Sequence, residues 1–184
     1  PSLEVIAHSL SLQCRFNGHC LHFYSVAQHA VLASFMARGV LQFIMLHHEV
    51  DEVPLPDVCR PVKRIDEMKP FIEIARKNGA IIFESLGFVP WLYAELPLDV
   101  HLIDERILFL EKKMLMAPSK KAWRWTSHVD GFNPTLPLRG WSPSRAKREY
   151  VHRHLELTGQ QVPWHWRALR FVQWWYDGLS LKGL

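Results

Sequence analysis

Apolar residues recur along this chain at steps of three and four and nowhere alternate in twos over a useful length, a pattern that predicts helices and no sheet. Over residues 5–14, Ile6, Leu10 and Cys14 share one side. Asn17-Gly18 then marks a turn, which also carries Arg15 beside Phe16. Ser25 is placed to cap a second helix reaching residue 38, with Val26, Ala30, Ala33 and Ala37 on a small-residue face and Gly39 as the stop. Residues 40–52 are apolar nearly all round in their first two turns, which makes this third helix central, and Pro54 and Pro56 end it. Arg60-Pro61-Val62-Lys63 reads as a linker. A helix over 69–86 turns Phe71, Ile74, Ala75, Ile81, Ile82 and Phe83 inward, with Gly79 weakening its middle by about 1 kcal/mol. Residues 98–116 form a long helix with a core stripe of Val100, Ile103, Ile107, Leu110 and Met114. Residues 117–141, broken by Pro118, Gly131, Pro134, Pro137 and Gly140, read as irregular. Pro143 opens a further helix to about Leu157, and a tryptophan-rich helix over 164–177 follows.

The expectation is an all-α bundle in a single domain over 1–184, its core in about 3–116, with an irregular loop and two C-terminal helices over 117–184. Hydrophobic residues make up 48% and charged residues 22% of the 184, which disfavours disorder and a membrane class. The formal charge of +4 gathers late, in residues such as Arg139, Arg145, Lys147, Arg148 and Arg153. That excess suits anionic small molecules as well as nucleic acid, but the interspersed acids disfavour nucleic acid. Cys14, Cys20 and Cys59 are odd in number and show no CxxC spacing, so neither a disulfide framework nor a zinc ribbon is indicated, and a reduced, cytoplasmic protein is expected.

Candidate chemistry concentrates in His47-His48-Glu49-Val50-Asp51-Glu52, followed by Asp57. Burying such groups unpaired beside Phe43-Ile44-Met45-Leu46 is costly, which points to a divalent-metal site. Helical spacing puts Glu52 one turn beyond His48 and Glu49. Asp104 lies next to the core stripe of its helix, and Glu111 follows two turns later on the same side. His29 lies next to the small-residue face and can point inward. His29, His48, Glu49 and Asp104 then supply two imidazoles and two carboxylates from three helices, a set that holds one divalent ion (Zn, Mn, Co, Fe, Ni or Mg) and leaves positions open for water and substrate. Glu52 is the candidate general base, Asp57 an acceptor for a sugar hydroxyl, and Arg15 a phosphate ligand. A zinc-protease helix, H-E-x-x-H, is excluded because Glu52 stands where its second histidine would be. His47 reads as structural or exposed, and Asp51 as solvated.

These stretches resemble the HD-domain phosphohydrolases, in particular the small bacterial and phage branch acting on nucleotides as 5'-deoxynucleotidases or deoxynucleoside-triphosphate triphosphohydrolases. The resemblance spans roughly residues 3–160. It is carried by Ile6-Ala7-His8-Ser9-Leu10 with Cys14-Arg15-Phe16-Asn17-Gly18-His19, by Tyr24-Ser25-Val26-Ala27-Gln28-His29, by residues 46–63 and 100–116, and by Trp141-Ser142-Pro143. The family's histidine, adjacent histidine and aspartate, and distant aspartate fall on His29, His48-Glu49 and Asp104. Anchoring on Asp57 and Arg60-Pro61-Val62-Lys63 selects His48 over His47 and sets Glu52 and Asp57 on the family's catalytic acids. The aspartate of the pair is Glu49 here. The resemblance implies an HD-domain fold, a metal-activated water, a nucleotide substrate and a homo-oligomer without membrane association. It also implies Arg15, Phe16, His19, Asp57 and Lys63 as substrate contacts, although Arg15 reads equally as a surface charge and Lys63 more readily as a solvated cation. The alternative is a catalytically silent nucleotide-binding or interaction protein whose metal site is altered by Glu49.

Overall fold

The computed structural model describes residues 1–118 and 139–166, and every regular element among them is helical, with one isolated antiparallel bridge between Cys14 and Ser25. The all-α expectation is met. Helix α1 (Leu3–Leu12) starts two residues earlier than expected because Ser2 Oγ accepts from the Val5 N–H at 3.4 Å. Helix α2 (Val26–Met36) begins where Ser25 Oγ accepts from the Gln28 N–H at 3.1 Å. Its residues from Val26 to Val31 are all buried, because it packs against neighbours on several sides: α1, α3 (Leu41–His47), α7 (Leu98–Leu115) and α8 (Pro143–Leu157). Between them lie α4 (Arg60–Lys63), α5 (Lys69–Ser85) and α6 (Pro90–Ala94).

Three expectations need correction. The third helix ends at His47 rather than Glu52, with Glu49 at φ −108°, ψ 20° and a 3₁₀ turn over Val50–Glu52. The cause is distant in sequence: the Tyr93 hydroxyl donates to the His48 carbonyl at 2.8 Å, so that carbonyl is satisfied without the next helical N–H. The Glu52 N–H instead bonds the Glu49 carbonyl at 3.1 Å. In α5, Ile82 and Phe83 are buried but Ile74 and Ile81 are exposed, because α6 and the 3₁₀ turn cover a face of α5 centred on Ala75, Gly79 and Ile82. Residues 60–63 are a helical turn, not a linker.

Gly79 is the contact point of that face. A Cβ there would lie 2.0 Å from Tyr93 Cε1, so the bare backbone is what lets the Tyr93 ring reach the end of α3. Toward the other end of the described residues, Ser142 caps α8, which opens at Pro143 as expected, and Gln28 ties its approach to α2 by donating to the Arg139 carbonyl (2.7 Å) and accepting from the Trp141 N–H (2.8 Å). The expected last helix begins with helical residues at 164–166, and its remainder, with most of 117–141, lies outside the described residues. No helix among the described residues is long and apolar enough to cross a membrane.

Candidate metal centre

The buried face of α2, the end of α3 and the middle of α7 converge on one cluster. His29 on α2, His48 and Glu49 just past α3, and Asp104 on α7 each offer one ligand atom, and the four atoms lie within 4.8 Å of one another. His29 Nε2 is 3.3 Å from His48 Nε2, 3.3 Å from Asp104 Oδ1 and 3.8 Å from Glu49 Oε1. His48 Nε2 is 3.6 Å from Glu49 Oε1 and 3.8 Å from Asp104 Oδ1. A tetrahedral ion with bonds of about 2.1 Å sets its ligand atoms about 3.4 Å apart, so the spacing suits a small divalent ion.

The donor set fits a cation for a second reason. His29 Nδ1 faces Glu111 Oε1 at 2.5 Å and His48 Nδ1 faces the Met45 carbonyl at 2.6 Å. Both partners only accept, so each Nδ1 carries a hydrogen, and each Nε2 faces the other and two carboxylates, where a bound ion would displace any proton it holds. Asp104 Oδ1 is buried without a hydrogen bond of good geometry. Positive charge is what the centre of the cluster needs. Burial and Arg15 press the His29 imidazolium down, yet the Glu111 and Asp104 carboxylates prevail and raise it to about 9. Burial works against the charged form of both cluster carboxylates too. His48, Lys63 and Arg15 nevertheless hold Glu49 down to about 2, and His29, His48 and Arg60 keep Asp104 well below the usual range.

Around the four lie the other candidates. Glu52 is buried, with Oε1 3.2 Å from Lys63 Nζ and Oε2 without a partner. Burial, Glu49 and Asp57 raise its carboxyl well above the usual range against the pull of Lys63 and Arg15. Asp57 is half-buried and also raised, by burial and then Glu49, against Arg15 and Lys63. Arg15 is buried in a 3₁₀ turn over Arg15–Gly18 and sits 3.3 Å from both Glu49 Oε1 and Glu111 Oε2. The same turn stacks Phe16 against the Arg15 guanidinium, 5.5 Å from its ring centroid, and leaves His19 exposed.

Other side chains of the site escaped the sequence reading. Arg60, taken as part of a linker, donates to Asp104 Oδ2 and leaves Oδ1 turned to the histidines. Gln13 donates to the Glu52 carbonyl and accepts from the Asp57 N–H at 3.2 Å, clamping both acids to the end of α1. Asp51 is not solvated: its Oδ1 lies 2.5 Å from the Tyr93 oxygen, whose single hydrogen is shared with the His48 carbonyl. His47 is fully buried, its Nδ1 2.7 Å from the Tyr150 hydroxyl and its Nε2 3.0 Å from His154 Nδ1. Glu111, unlike Arg60 and Gln13, left a sequence signal, as an acid two turns from Asp104 on the same face of α7.

No protein-family model matches the chain. It is similar to a protein of Escherichia coli (strain K12) described as uncharacterized protein YfdR, with 42% identity over 85 residues. That match covers 46% of this chain and 47% of the relative, so it spans about half the length of each.

Proposed function

We propose that this chain is a metal-dependent phosphohydrolase of the HD type, releasing phosphate from deoxynucleoside mono- or triphosphates. The observation that carries the reading is the cluster of His29, His48, Glu49 and Asp104, in which two imidazole Nε2 atoms and two carboxylates share one small volume. A divalent ion held there would supply Lewis acidity toward a phosphoryl oxygen and would lower the pKa of a water. The chain's own groups do the rest. Glu52 takes the water's proton: burial has already raised its proton affinity, Oε2 is free, and Lys63 fixes the carboxylate through Oε1. Arg15 brings a permanent positive charge beside Glu49, where phosphoryl oxygens approach. Asp57 accepts a sugar hydroxyl, Phe16 and His19 line the approach, and Lys63 adds charge at the mouth. A homo-oligomer belongs to the same reading.

The test is phosphate release from a panel of deoxynucleotides with Mn²⁺, Co²⁺, Zn²⁺ or Mg²⁺. Release with at least one pair is expected, and Glu52→Gln should lower kcat by about 10²–10⁴-fold while leaving metal content unchanged. Silence across the whole panel would sink the proposal. One observation favours a second reading, a silent nucleotide-binding protein: Arg15 already pairs with Glu49, the residue standing where the family has aspartate. Elemental analysis separates the two, since about one divalent ion per chain supports the enzyme.

A further inference from the structure

We infer that Glu111 is the positioning carboxylate of this centre, fixing His29 as an Nε2 ligand from behind and holding Arg15 so that Arg15 in turn fixes Glu49. The inference rests on the metal-centre reading. Glu111 is fully buried on α7, and a buried carboxylate is tolerated only with close compensation. Its charged compensation comes from His29 Nδ1 at 2.5 Å on Oε1 and Arg15 Nε at 3.3 Å on Oε2, with the buried Tyr24 hydroxyl beside them.

The two histidines are therefore not equivalent. Behind His48 stands a neutral acceptor, the Met45 carbonyl at 2.6 Å; behind His29 stands an anion. A carboxylate behind a ligating imidazole fixes the tautomer and raises the ring's donor strength, and its removal commonly costs 10- to 100-fold in metal affinity. The Arg15 arm does the complementary work. One planar guanidinium spans Glu111 Oε2 through Nε and Glu49 Oε1 through its NH1 nitrogen at 3.3 Å. Glutamate has one more rotatable bond than aspartate, so Glu49 needs an external hold to present one oxygen to the histidines, and the Arg15 fork anchored on Glu111 provides it. Glu111 touches no reacting atom and acts only through His29 and Arg15.

The experiment titrates Zn²⁺ alone into the metal-free full chain, against a competing chelator, for wild type, Glu111→Ala and Glu111→Gln, with thermal unfolding of each metal-free protein alongside. Glu111→Ala removes both arms and should weaken Zn²⁺ by about 10- to 100-fold. Glu111→Gln keeps an acceptor for His29 but turns a donor or a neutral oxygen on Arg15, and should weaken Zn²⁺ several-fold while retaining the Nδ1–H tautomer of His29 in ¹⁵N spectra. If Glu111→Ala does not fold, Glu111→Gln decides. Folded variants that bind Zn²⁺ within twofold of a Zn²⁺-binding wild type overturn this inference alone. A wild type that takes no Zn²⁺, Mn²⁺ or Co²⁺ overturns the metal-centre reading and this inference with it.

Discussion

Replacing a glycine in the middle of a helix by alanine ordinarily stabilises a protein by about 1 kcal/mol. At Gly79 the sign should reverse. The added Cβ would meet the Tyr93 ring at 2.0 Å from Cε1, 2.5 Å from Cζ and 2.6 Å from Cδ1, all from a rigid aromatic edge. Ordinary contact requires the ring to retreat by more than an ångström. The ring is buried, and its hydroxyl holds the His48 carbonyl at 2.8 Å and Asp51 Oδ1 at 2.5 Å. Overpacking costs about 1–3 kcal/mol, and stripping a buried carbonyl of its donor about 1–3 kcal/mol more. Set against the gain in helix propensity, Gly79→Ala should destabilise by about 1–5 kcal/mol. The measurement is urea unfolding of the four proteins of a cycle with Tyr93→Ala. In the Tyr93→Ala background the clash is gone and Gly79→Ala should return to stabilising by about 1 kcal/mol. Stabilisation by Gly79→Ala in the wild-type background would refute the reasoning, because the close approach would then be doing nothing.

Two further perturbations probe other parts of the frame. Gln28→Ala deprives the buried Trp141 N–H and the Arg139 carbonyl of their partner and should cost about 1–3 kcal/mol by urea unfolding; a change under about 0.5 kcal/mol, the size of a surface substitution, would contradict the role given to that clasp. Burial, followed by His154 and His48, holds His47 well below its usual value of 6.5, so the folded protein keeps it neutral where the unfolded chain protonates it. Its contribution is complete above about pH 6.5 and is lost as pH falls below that, at up to about 1.4 kcal/mol per pH unit. His47→Phe should show a shallower fall in unfolding free energy between pH 6.5 and 5, and an unchanged slope would argue that His47 is not what titrates.

Much of the frame was legible because it is local. Ser25 caps the helix it was expected to cap, α8 opens at Pro143, and the stripe Val100, Ile103, Ile107 and Leu110 is buried as its period requires, although at its end Leu115 rather than Met114 is the buried residue. The four candidate ligands came together because each is a polar group on or beside an apolar helix face, and such a group needs company. What the pattern missed is set by partners far along the chain. Residues 48–52 leave the helix because Tyr93 takes a carbonyl, and Asp51 is held by the same hydroxyl. Arg60 and Gln13 find their roles 44 and 39 residues away, at Asp104 and Glu52. Ile74 and Ile81 were assigned inward by periodicity alone, yet α6 and the 3₁₀ turn cover a different sector of α5. Periodicity finds an apolar face but says nothing of which neighbour arrives to cover it.

The spread of the cluster over three helices also orders events during synthesis. His29 and His48 leave the ribosome first, while Glu111, the carboxylate behind His29, follows 82 residues after it. At translation rates of about 5–20 residues per second, that separation is roughly 4–16 s. Through that interval the nascent chain carries the imidazoles without the carboxylates of α7, a pair able to hold an ion only loosely. Any ion the cluster keeps is therefore kept late, once α7 has docked, and its retention registers the arrival of a helix made long after the first ligand.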